Sequence, residues 1–364
     1  MQLEHLFVQD YRNIVQADLE FSPGLNCFVG HNGMGKTNLL DAVYCLSFCR
    51  SSLSQSDALT VRHGTPGFQL QGTYRLPTGD RTVIGCVSRT PGRKQFRRDR
   101  KEYQRFSDHI GYIPLVMVTP QDTDLILGGS EERRRFMDMV ISQYDSDYLK
   151  QLIDYSKALT QRNALLKMEQ EPDSELMLMW EQIMADTGAV IFRKRTELAE
   201  RLTPFFNDIY HRIAVDGENV SLGYISHAQR GDLLAQFRES RVKDRAVGYS
   251  LHGMHKDELE MMLDGYPIRR EGSQGQNKTY LTALKLAQYM LLEQVCGKKP
   301  LLLLDDIFDR LDARRVESIL SLVSDRGMFG QVFITDVDRN HIDGIMAGLG
   351  CEYRVFTVEN GNVI

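Results

Sequence analysis

The chain has 364 residues, of which 42% are hydrophobic and 26% charged, and its formal net charge is −5. This composition is typical of a globular protein with a sizeable core, and the net charge indicates that any nucleic-acid-binding surface is local. No run approaches 18 apolar residues, no secretory leader is recognisable, and the six cysteines form no Cys-x-x-Cys pair. We therefore exclude membrane-spanning and secreted proteins, and expect a cytoplasmic protein with reduced thiols and no membrane partner.

Residues 1–129 have the pattern of a strand-rich lobe. Apolar or alternating runs, separated by turns rich in glycine and proline, predict several strands in this part of the chain. The predicted strands span residues 3–8, 25–29, 68–76, 82–88 and 113–118.

A glycine-rich loop lies between the predicted strand 25–29 and a predicted helix 38–48. Its sequence is Gly30-His31-Asn32-Gly33-Met34-Gly35-Lys36-Thr37. A strand, a loop of this pattern and a helix form a P-loop, whose backbone N–H groups and helix N-terminus bind phosphates. Lys36 is placed to reach the β- and γ-phosphates, and Thr37 to ligate Mg²⁺. The sequence thus predicts that all eight residues bind a nucleoside triphosphate.

Residues 130–247 change to helical periodicity. Apolar residues at three- and four-residue spacing predict helices over 131–142, 147–168 and 174–214. The short turn at 171–174 predicts that the two longest helices form an antiparallel hairpin, too short and irregular for an extended coiled coil. We expect residues 1–129 and 248–364 to form one domain and residues 130–247 to form a helical insertion.

Two carboxylates follow a strongly apolar run near the C-terminus. Leu301-Leu302-Leu303-Leu304 predicts a buried strand that ends at Asp305 and Asp306, and 331–335 predicts a second parallel strand. Ligands of open α/β sheets bind at the carboxyl ends of such strands. We expect Asp305 to hold Mg²⁺ and Asp306 to orient or deprotonate an attacking water. Asp306 could instead cap the turn that follows.

A second candidate anion site precedes a predicted helix over 277–295. Its sequence is Ser273-Gln274-Gly275-Gln276. A serine before exposed helix N–H groups can bind an anion, and Ser-x-x-Gln can equally form a capping box that only starts the helix. The residues by themselves favour the capping box.

The segment from Arg89 to Arg105 is the most basic part of the chain. It contains eight Lys or Arg residues and only two acidic ones. The turn Thr90-Pro91-Gly92 predicts that this segment forms a hairpin. A basic hairpin can follow a nucleic-acid backbone, with Arg93, Lys94, Arg97 and Arg98 as candidate contacts. It can equally be a solvated sheet edge whose charges prevent edge-to-edge aggregation. Nothing in the chain resembles a base-reading element, so we expect recognition of DNA structure rather than sequence.

These elements together resemble the ATP-binding-cassette heads of chromosome-maintenance and DNA-repair ATPases, in which Ser-x-Gly-Gln is the signature motif. More closely, nearly the whole chain is similar to the RecF family of bacterial recombination mediators. The resemblance rests on the P-loop and on seven shorter motifs, which are Tyr11-Arg12-Asn13-Ile14, Pro23-Gly24-Leu25-Asn26, Gly128-Gly129, Arg133-Arg134-Arg135-Phe136, His255-Lys256-Asp257, Ser273-Gln274-Gly275-Gln276 and Asp305-Asp306. It implies an α/β ATPase head with a β-rich ATP-binding lobe, a helical lobe and no long coiled coil.

The resemblance also implies a mechanism. ATP and Mg²⁺ would lie between two copies of the chain, with Lys36 and Asp305 from one copy and the signature Ser273, Gly275 and Gln276 from the other. ATP would therefore hold a homodimer together, and slow hydrolysis would loosen it. The implied partners are single-stranded, gapped or junction DNA, with RecO and RecR as proteins that help to load RecA.

Some residues depart from the family pattern. Asn277-Lys278 stands where Gln-Arg is usual, and Lys256 stands where an arginine is usual; Lys lacks the bidentate fork of Arg. Thr335-Asp336 replaces the histidine that follows the corresponding strand of many cassette ATPases. Gln121 is placed where a glutamine can contact Mg²⁺.

Two other functions are considered. One is an ATP-switched DNA-binding module of another repair pathway with negligible hydrolysis. The other is the nucleotide-binding subunit of a membrane transporter, which the long separation of the P-loop from Asp305 and the helical insertion disfavour.

Overall fold

The computed structural model describes residues 1–54, 56–89, 92–214, 217–307, 312–337, 344 and 352–363. Backbone contacts divide the chain into two units. The first comprises Met1–Asp122, Arg212–Val215 and Lys278–Ile364, and the second comprises Thr123–His211 and Asp216–Asn277.

Strands and helices both contribute to the described part of the chain, which confirms the predicted α/β class. The strands are β1 (Gln2–Tyr11), β2 (Ile14–Glu20), β3 (Leu25–Val29), β4 (Gly67–Arg75), β5 (Arg81–Arg89), β6 (Gln95–Arg98), β7 (Lys101–Glu102), β8 (Leu115–Val118), β9 (Val220–Ile225), β10 (Glu258–Leu263), β11 (Tyr266–Pro267), β12 (Leu301–Leu304), β13 (Val332–Asp336), β14 (Tyr353–Glu359) and β15 (Asn362–Val363). The helices are α1 (Lys36–Phe48), α2 (Asp124–Leu127), α3 (Ser130–Ser142), α4 (Ser146–Leu166), α5 (Ser174–Ile213), α6 (Leu233–Val247), α7 (Ile268–Glu271), α8 (Gln274–Cys296) and α9 (Ala313–Ser324).

The first unit contains a mainly parallel sheet with the strand order β15-β14-β3-β13-β12-β8. The strands from β14 to β8 run parallel, and β15 pairs antiparallel with β14. Every residue of β3, β8, β12 and β13 is buried, as expected of parallel strands that are covered on both faces. Because β13 lies between β3 and β12, the chain segments that leave these three strands start at one sheet edge.

An antiparallel sheet completes the first unit, with the order β2-β1-β4-β5-β6-β7. Helix α1 packs on strands of both sheets. Residues on nearly all faces of α1 are therefore buried. The buried Ser47 hydroxyl donates a hydrogen bond to the Ile113 carbonyl oxygen at 2.6 Å. The helix that starts at the P-loop is thus held rigidly from both sides.

The second unit differs in extent from the predicted insertion 130–247. It also includes residues 123–129 and 248–277, and it lacks Arg212–Val215, which group with the first unit. The C-terminal extension contains β10, which pairs with β9 in a three-stranded sheet of order β11-β10-β9. Glu258, at the start of β10, accepts hydrogen bonds from Arg133 Nε at 2.5 Å and from Ser130 Oγ at 2.7 Å. Helical periodicity could not show this strand pairing, since the partner strands lie more than 30 residues apart in the chain.

A buried ion cluster joins three helices of the second unit. Arg162 of α4 is fully buried, and all five of its guanidinium N–H groups donate. The acceptors are Glu181 of α5, Asp244 of α6, the Ser250 hydroxyl and the Phe237 carbonyl oxygen. We interpret this cluster as structural, because every donor of the guanidinium is used within the unit.

Candidate nucleotide-binding site

The P-loop follows β3 and bends where only glycine fits. A Cβ atom on Gly30 would lie 2.3 Å from the Val358 carbonyl oxygen. Gly35 has a φ of +114°, and a Cβ atom there would lie 2.7 Å from Asn13 Oδ1. Both positions therefore require glycine. A side chain has no room at either position, and the backbone conformation at Gly35 also favours glycine.

Lys36 is buried at the start of α1. Its Nζ donates to the carbonyl oxygens of Gly30 at 2.6 Å and of His31 at 3.1 Å. Burial lowers the pKa of Lys36, and the nearby carboxylates, Asp306 foremost, act in the opposite direction. Because these hydrogen-bond partners are neutral carbonyls, the ammonium charge remains available to an anion above the loop.

Asp305 lies at the carboxyl end of β12 and meets two hydroxyl groups. Thr37 Oγ1 donates to Asp305 Oδ1 at 3.0 Å, and Thr335 Oγ1 donates to the same atom at 2.9 Å. Burial raises the pKa of Asp305, while the hydrogen bonds from Thr335 and Thr37 act to lower it. A carboxylate and a hydroxyl side by side are the hard oxygen ligands that Mg²⁺ prefers, so this donor set fits the ion.

Asp306 adopts a strained backbone conformation beside the P-loop. Its φ is +47°, and its backbone N–H donates to Thr335 Oγ1 at 2.9 Å. Thr335 therefore bridges the two carboxylate residues, donating to one and accepting from the other. The alternative role of Asp306, capping the turn that follows, falls on residues 308–311, which lie outside the described residues.

The P-loop and the carboxylates share one cleft of about 170 Å³. Its lining consists of Asn32, Gly33, Gly35, Lys36, Thr37, Asn38, Asp305, Asp306 and Thr335. Gly30, His31 and Met34 do not line this cleft among the described residues, and the first two contribute carbonyl oxygens to Lys36. The cleft is smaller than the 300–1,000 Å³ of typical small-molecule sites, so it can enclose only part of a nucleotide.

Gln121 does not belong to this lining. It is exposed in the 3₁₀ turn Pro120–Thr123. The neighbouring Asp122 is held in place by two contacts. It forms an ion pair with Lys285 at 2.7 Å and accepts a hydrogen bond from the Thr119 backbone N–H at 2.7 Å. The arrangement gives the Mg²⁺ role of Gln121 no support, and that role stays an untested prediction.

The signature segment belongs to the second unit and forms a capping box. The Ser273 N–H donates to Gln276 Oε1 at 2.8 Å, and the Gln276 N–H donates to Ser273 Oγ at 3.2 Å. Gln276 Nε2 also donates to Glu218 at 2.5 Å, whereas Ser273 is exposed. Gly275 lies in the same first turn of α8. The segment thus forms the capping box that starts α8, and the Ser273 side chain remains accessible to solvent.

The basic segment separates into exposed and buried residues. Arg93, Arg97 and Arg98 are exposed, whereas Lys94 is only 8% exposed and its Nζ contacts Asp57 at 2.6 Å. Lys94 is therefore unsuited to contact DNA. Of the two aromatic residues of this segment, Phe96 is fully buried and therefore packs in the core, whereas Tyr103 is only partly buried.

Two contributors to the site escaped the residue-based prediction. Thr335 was noted only as standing in place of a histidine, although it bridges the two carboxylate residues. Asn13 was noted only as part of a motif, although its side chain contacts the P-loop. The pairing of β13 between β3 and β12 could have indicated Thr335, because it ends at the same sheet edge as the P-loop.

No helix in the described part of the chain is both long and apolar enough to cross a membrane. The described residues also contain no group of three or more His, Cys, Asp or Glu side chains arranged to hold a metal ion.

Comparisons with known proteins agree with this geometry. A family model described as an AAA domain matches residues 5–178. The DNA replication and repair protein RecF of Phocaeicola vulgatus is 57% identical over 100% of this chain and 98% of its own length. The RecF protein of Bacteroides fragilis is 54% identical over the same shares.

Solved structures extend the comparison. The recombination mediator protein RecF with ATPrS, in the RecFOR pathway, superposes with a TM-score of 0.89 at 28% identity, covering 99% of this chain and 97% of that one. An Smc head domain from Pyrococcus furiosus has a TM-score of 0.59 at 17% identity, covering 100% and 96%, which shows the shared fold alone. The predicted ATPase-head fold is confirmed, and the chain belongs to the RecF family of DNA replication and repair proteins.

Proposed function

We propose that this chain is a slow, DNA-linked ATPase that binds Mg²⁺-ATP, dimerises around it and acts in recombinational repair of gapped DNA. The observation that supports the proposal best is the juxtaposition of Thr37, Asp305 and Thr335 beside Lys36. Residues almost 300 positions apart form one cleft with a phosphate-binding loop, a cation-binding pair and a further carboxylate. These are the parts that phosphoryl transfer requires.

Each part has a distinct task in the proposed reaction. The loop N–H groups and Lys36 bind the phosphates, and Thr37 and Asp305 hold Mg²⁺, which when bound neutralises charge on the β- and γ-phosphates. Asp306 orients the attacking water and accepts its proton, assisted by the backbone position that Thr335 imposes. Positioning and electrostatics then carry the catalysis, without a covalent intermediate on the protein.

The partial enclosure of the cleft supports a two-sided site. A second copy of the chain would cover the γ-phosphate with Ser273, Gly275 and Gln276, so ATP would act as an interfacial ligand at a two-fold symmetric dimer. Hydrolysis would remove a contact to Ser273 and weaken the dimer. The accessible Ser273 side chain is consistent with this role.

Ser273→Arg should leave nucleotide binding by the monomer within about threefold of wild type and abolish the ATP-dependent dimer. A bulky cation at the residue before α8 should block close approach of a second copy, and position 273 is not part of the P-loop. Sedimentation velocity with and without ATP measures this, and Ser273→Ala is the matched control for loss of the capping hydroxyl, which costs about 1 kcal/mol of stability. A normal ATP-dependent dimer of Ser273→Arg would disprove the two-sided site.

The exposed side chains Arg93, Arg97 and Arg98 support non-specific binding to a DNA backbone. Replacing all three by glutamine should weaken DNA binding and reduce the slope of log K against log salt by about 2 to 3, because each phosphate contact contributes about 0.9. The control replaces three exposed cations of the second unit, Arg230, Arg238 and Lys243, with glutamine. An unchanged slope, or equal losses in both triple variants, would show that the segment is only a solvated sheet edge.

Family membership supports partners as well as chemistry. A similar solved protein is described as acting in the RecFOR pathway, and we propose that this chain likewise works with RecR and RecO to help load RecA onto gapped DNA. The alternative of a DNA-binding switch with negligible hydrolysis has no observation of its own in the structure and becomes one outcome of the test below.

The decisive test is steady-state ATP turnover with and without gapped duplex DNA, with Asp305→Asn as the blank. Stimulation by DNA above the blank is the expected result, because the cation-binding pair should be essential and DNA should favour the dimer. Turnover that stays at the level of the blank with DNA, and also after addition of RecR, would favour the non-hydrolysing switch.

A further inference from the structure

The segment Tyr11-Arg12-Asn13-Ile14 has no part in the reaction described so far. Tyr11 and Ile14 pair across the β1–β2 hairpin and leave Arg12 and Asn13 as its two-residue turn. Arg12 has a φ of 53°, a left-handed conformation that is uncommon for arginine and persists only where the surroundings impose it.

Arg12 fastens the turn to α1. Its Nε donates to Asp41 Oδ2 at 3.0 Å, and its Nη2 donates to Ser51 Oγ at 2.8 Å. Asp41 is fully buried and also accepts from the Tyr11 hydroxyl at 2.7 Å and the Ser52 N–H at 2.6 Å. The turn is therefore attached to the helix that the P-loop starts.

Asn13 contacts the P-loop itself. Its Nδ2 donates to the Met34 carbonyl oxygen at 3.2 Å, and its Oδ1 accepts from Asn38 Nδ2 at 2.7 Å. The Gly361 N–H donates to the same Met34 oxygen at 2.9 Å. The Asn13 side chain and the Gly361 N–H thus together fix the direction of the Met34 carbonyl group in the P-loop.

The direction of that carbonyl has a geometric consequence. In a planar trans peptide the C=O and N–H groups point in opposite directions. Because the Met34 C=O points toward Asn13, the N–H of Gly35 in the same peptide unit points away from Asn13, and Gly35 lines the cleft.

We propose that Asn13 is a positioning residue for phosphate binding: through the Met34 carbonyl it aims the Gly35 N–H at the bound phosphates. This deepens the proposed function and rests on it, since it presumes a nucleotide in the cleft. Backbone N–H groups of such loops surround the α- and β-phosphates, so Asn13 should affect ADP and ATP alike.

The test measures the Kd of ADP by fluorescent-nucleotide titration, together with the apo Tm of each variant. Asn13→Ala removes both side-chain contacts, whereas Asn13→Asp keeps an acceptor for Asn38 but cannot donate to the Met34 oxygen. Each variant should bind ADP and ATP about tenfold more weakly, the effect of one misdirected hydrogen bond to a charged group. ADP is the probe because its binding does not require a second copy.

Asn26→Ala is the matched control. Asn26 is buried in the first unit, and its side chain forms hydrogen bonds with Ser22 and Gly24 of the preceding turn rather than with the P-loop. It should lower the apo Tm and leave the Kd of ADP unchanged. The inference is wrong if both Asn13 variants bind ADP with the wild-type Kd, or if Asn26→Ala weakens ADP binding equally. Failure of wild type to bind ADP or ATP would instead overturn the proposed function as well.

Discussion

Asp306→Asn should lower ATP turnover by about 10²- to 10⁴-fold, the usual contribution of a general base, while ATP binding and the ATP-dependent dimer persist. The amide of Asn cannot accept a proton from water, but it has nearly the same shape as the carboxyl group. Position 306 has a φ of +47°, and asparagine tolerates this left-handed conformation as well as aspartate does. The substitution therefore changes the chemistry and keeps the backbone.

Turnover, nucleotide Kd and sedimentation in ATP should be measured on the same preparation. Asp305→Asn is the informative comparison, because it should lose the Mg²⁺ dependence of ATP binding, which Asp306→Asn retains. Asp325→Asn, at an exposed position of the same unit, controls for the change of charge. Wild-type turnover in Asp306→Asn would place the base elsewhere.

Lys36→Met should weaken ATP binding by at least about 100-fold and abolish the ATP-dependent dimer. The methionine retains the apolar stem but loses the cation that faces the phosphates, and charge-assisted hydrogen bonds to phosphate are the strongest in such a site. The apo protein should stay folded, since the lost hydrogen bonds join Nζ only to the loop carbonyls of Gly30 and His31.

Fluorescent-nucleotide titration and sedimentation velocity measure both effects. Lys167→Met, an exposed position of the second unit, is the control for the same side-chain change. If Lys36→Met bound ATP normally but failed to dimerise, Lys36 would serve the interface rather than the phosphates.

The local motifs were predictable because their geometry depends on neighbours in the chain. The P-loop needs glycines at 30 and 35 and a helix that begins at Lys36, and all of these lie within one short segment. The capping box at Ser273 is similarly local, since its partner is three residues away. The run of four leucines predicted a buried strand, and therefore the position of Asp305 and Asp306 at a sheet edge.

The basic segment shows where residue type was insufficient. Lys94 and Arg93 are equivalent by composition, yet one is buried against Asp57 and the other is exposed. Alternation along the strand places Lys94 on the same face as the buried Phe96 and as Arg98, yet Arg98 is exposed. Alternation alone therefore does not separate these cations, and the contact of Lys94 with Asp57 depends on the tertiary structure.

The P-loop pattern, the acidic strand end, the capping box and the RecF family could be inferred from the amino-acid sequence, because each is recognisable in short segments of contiguous residues. The folded structure was needed to show that Thr335 bridges the two acidic residues, that Asn13 holds the Met34 carbonyl, and that residues 248–277 belong to the second unit. These contacts depend on strand order and register, which bring together residues from distant parts of the chain and which no local pattern encodes.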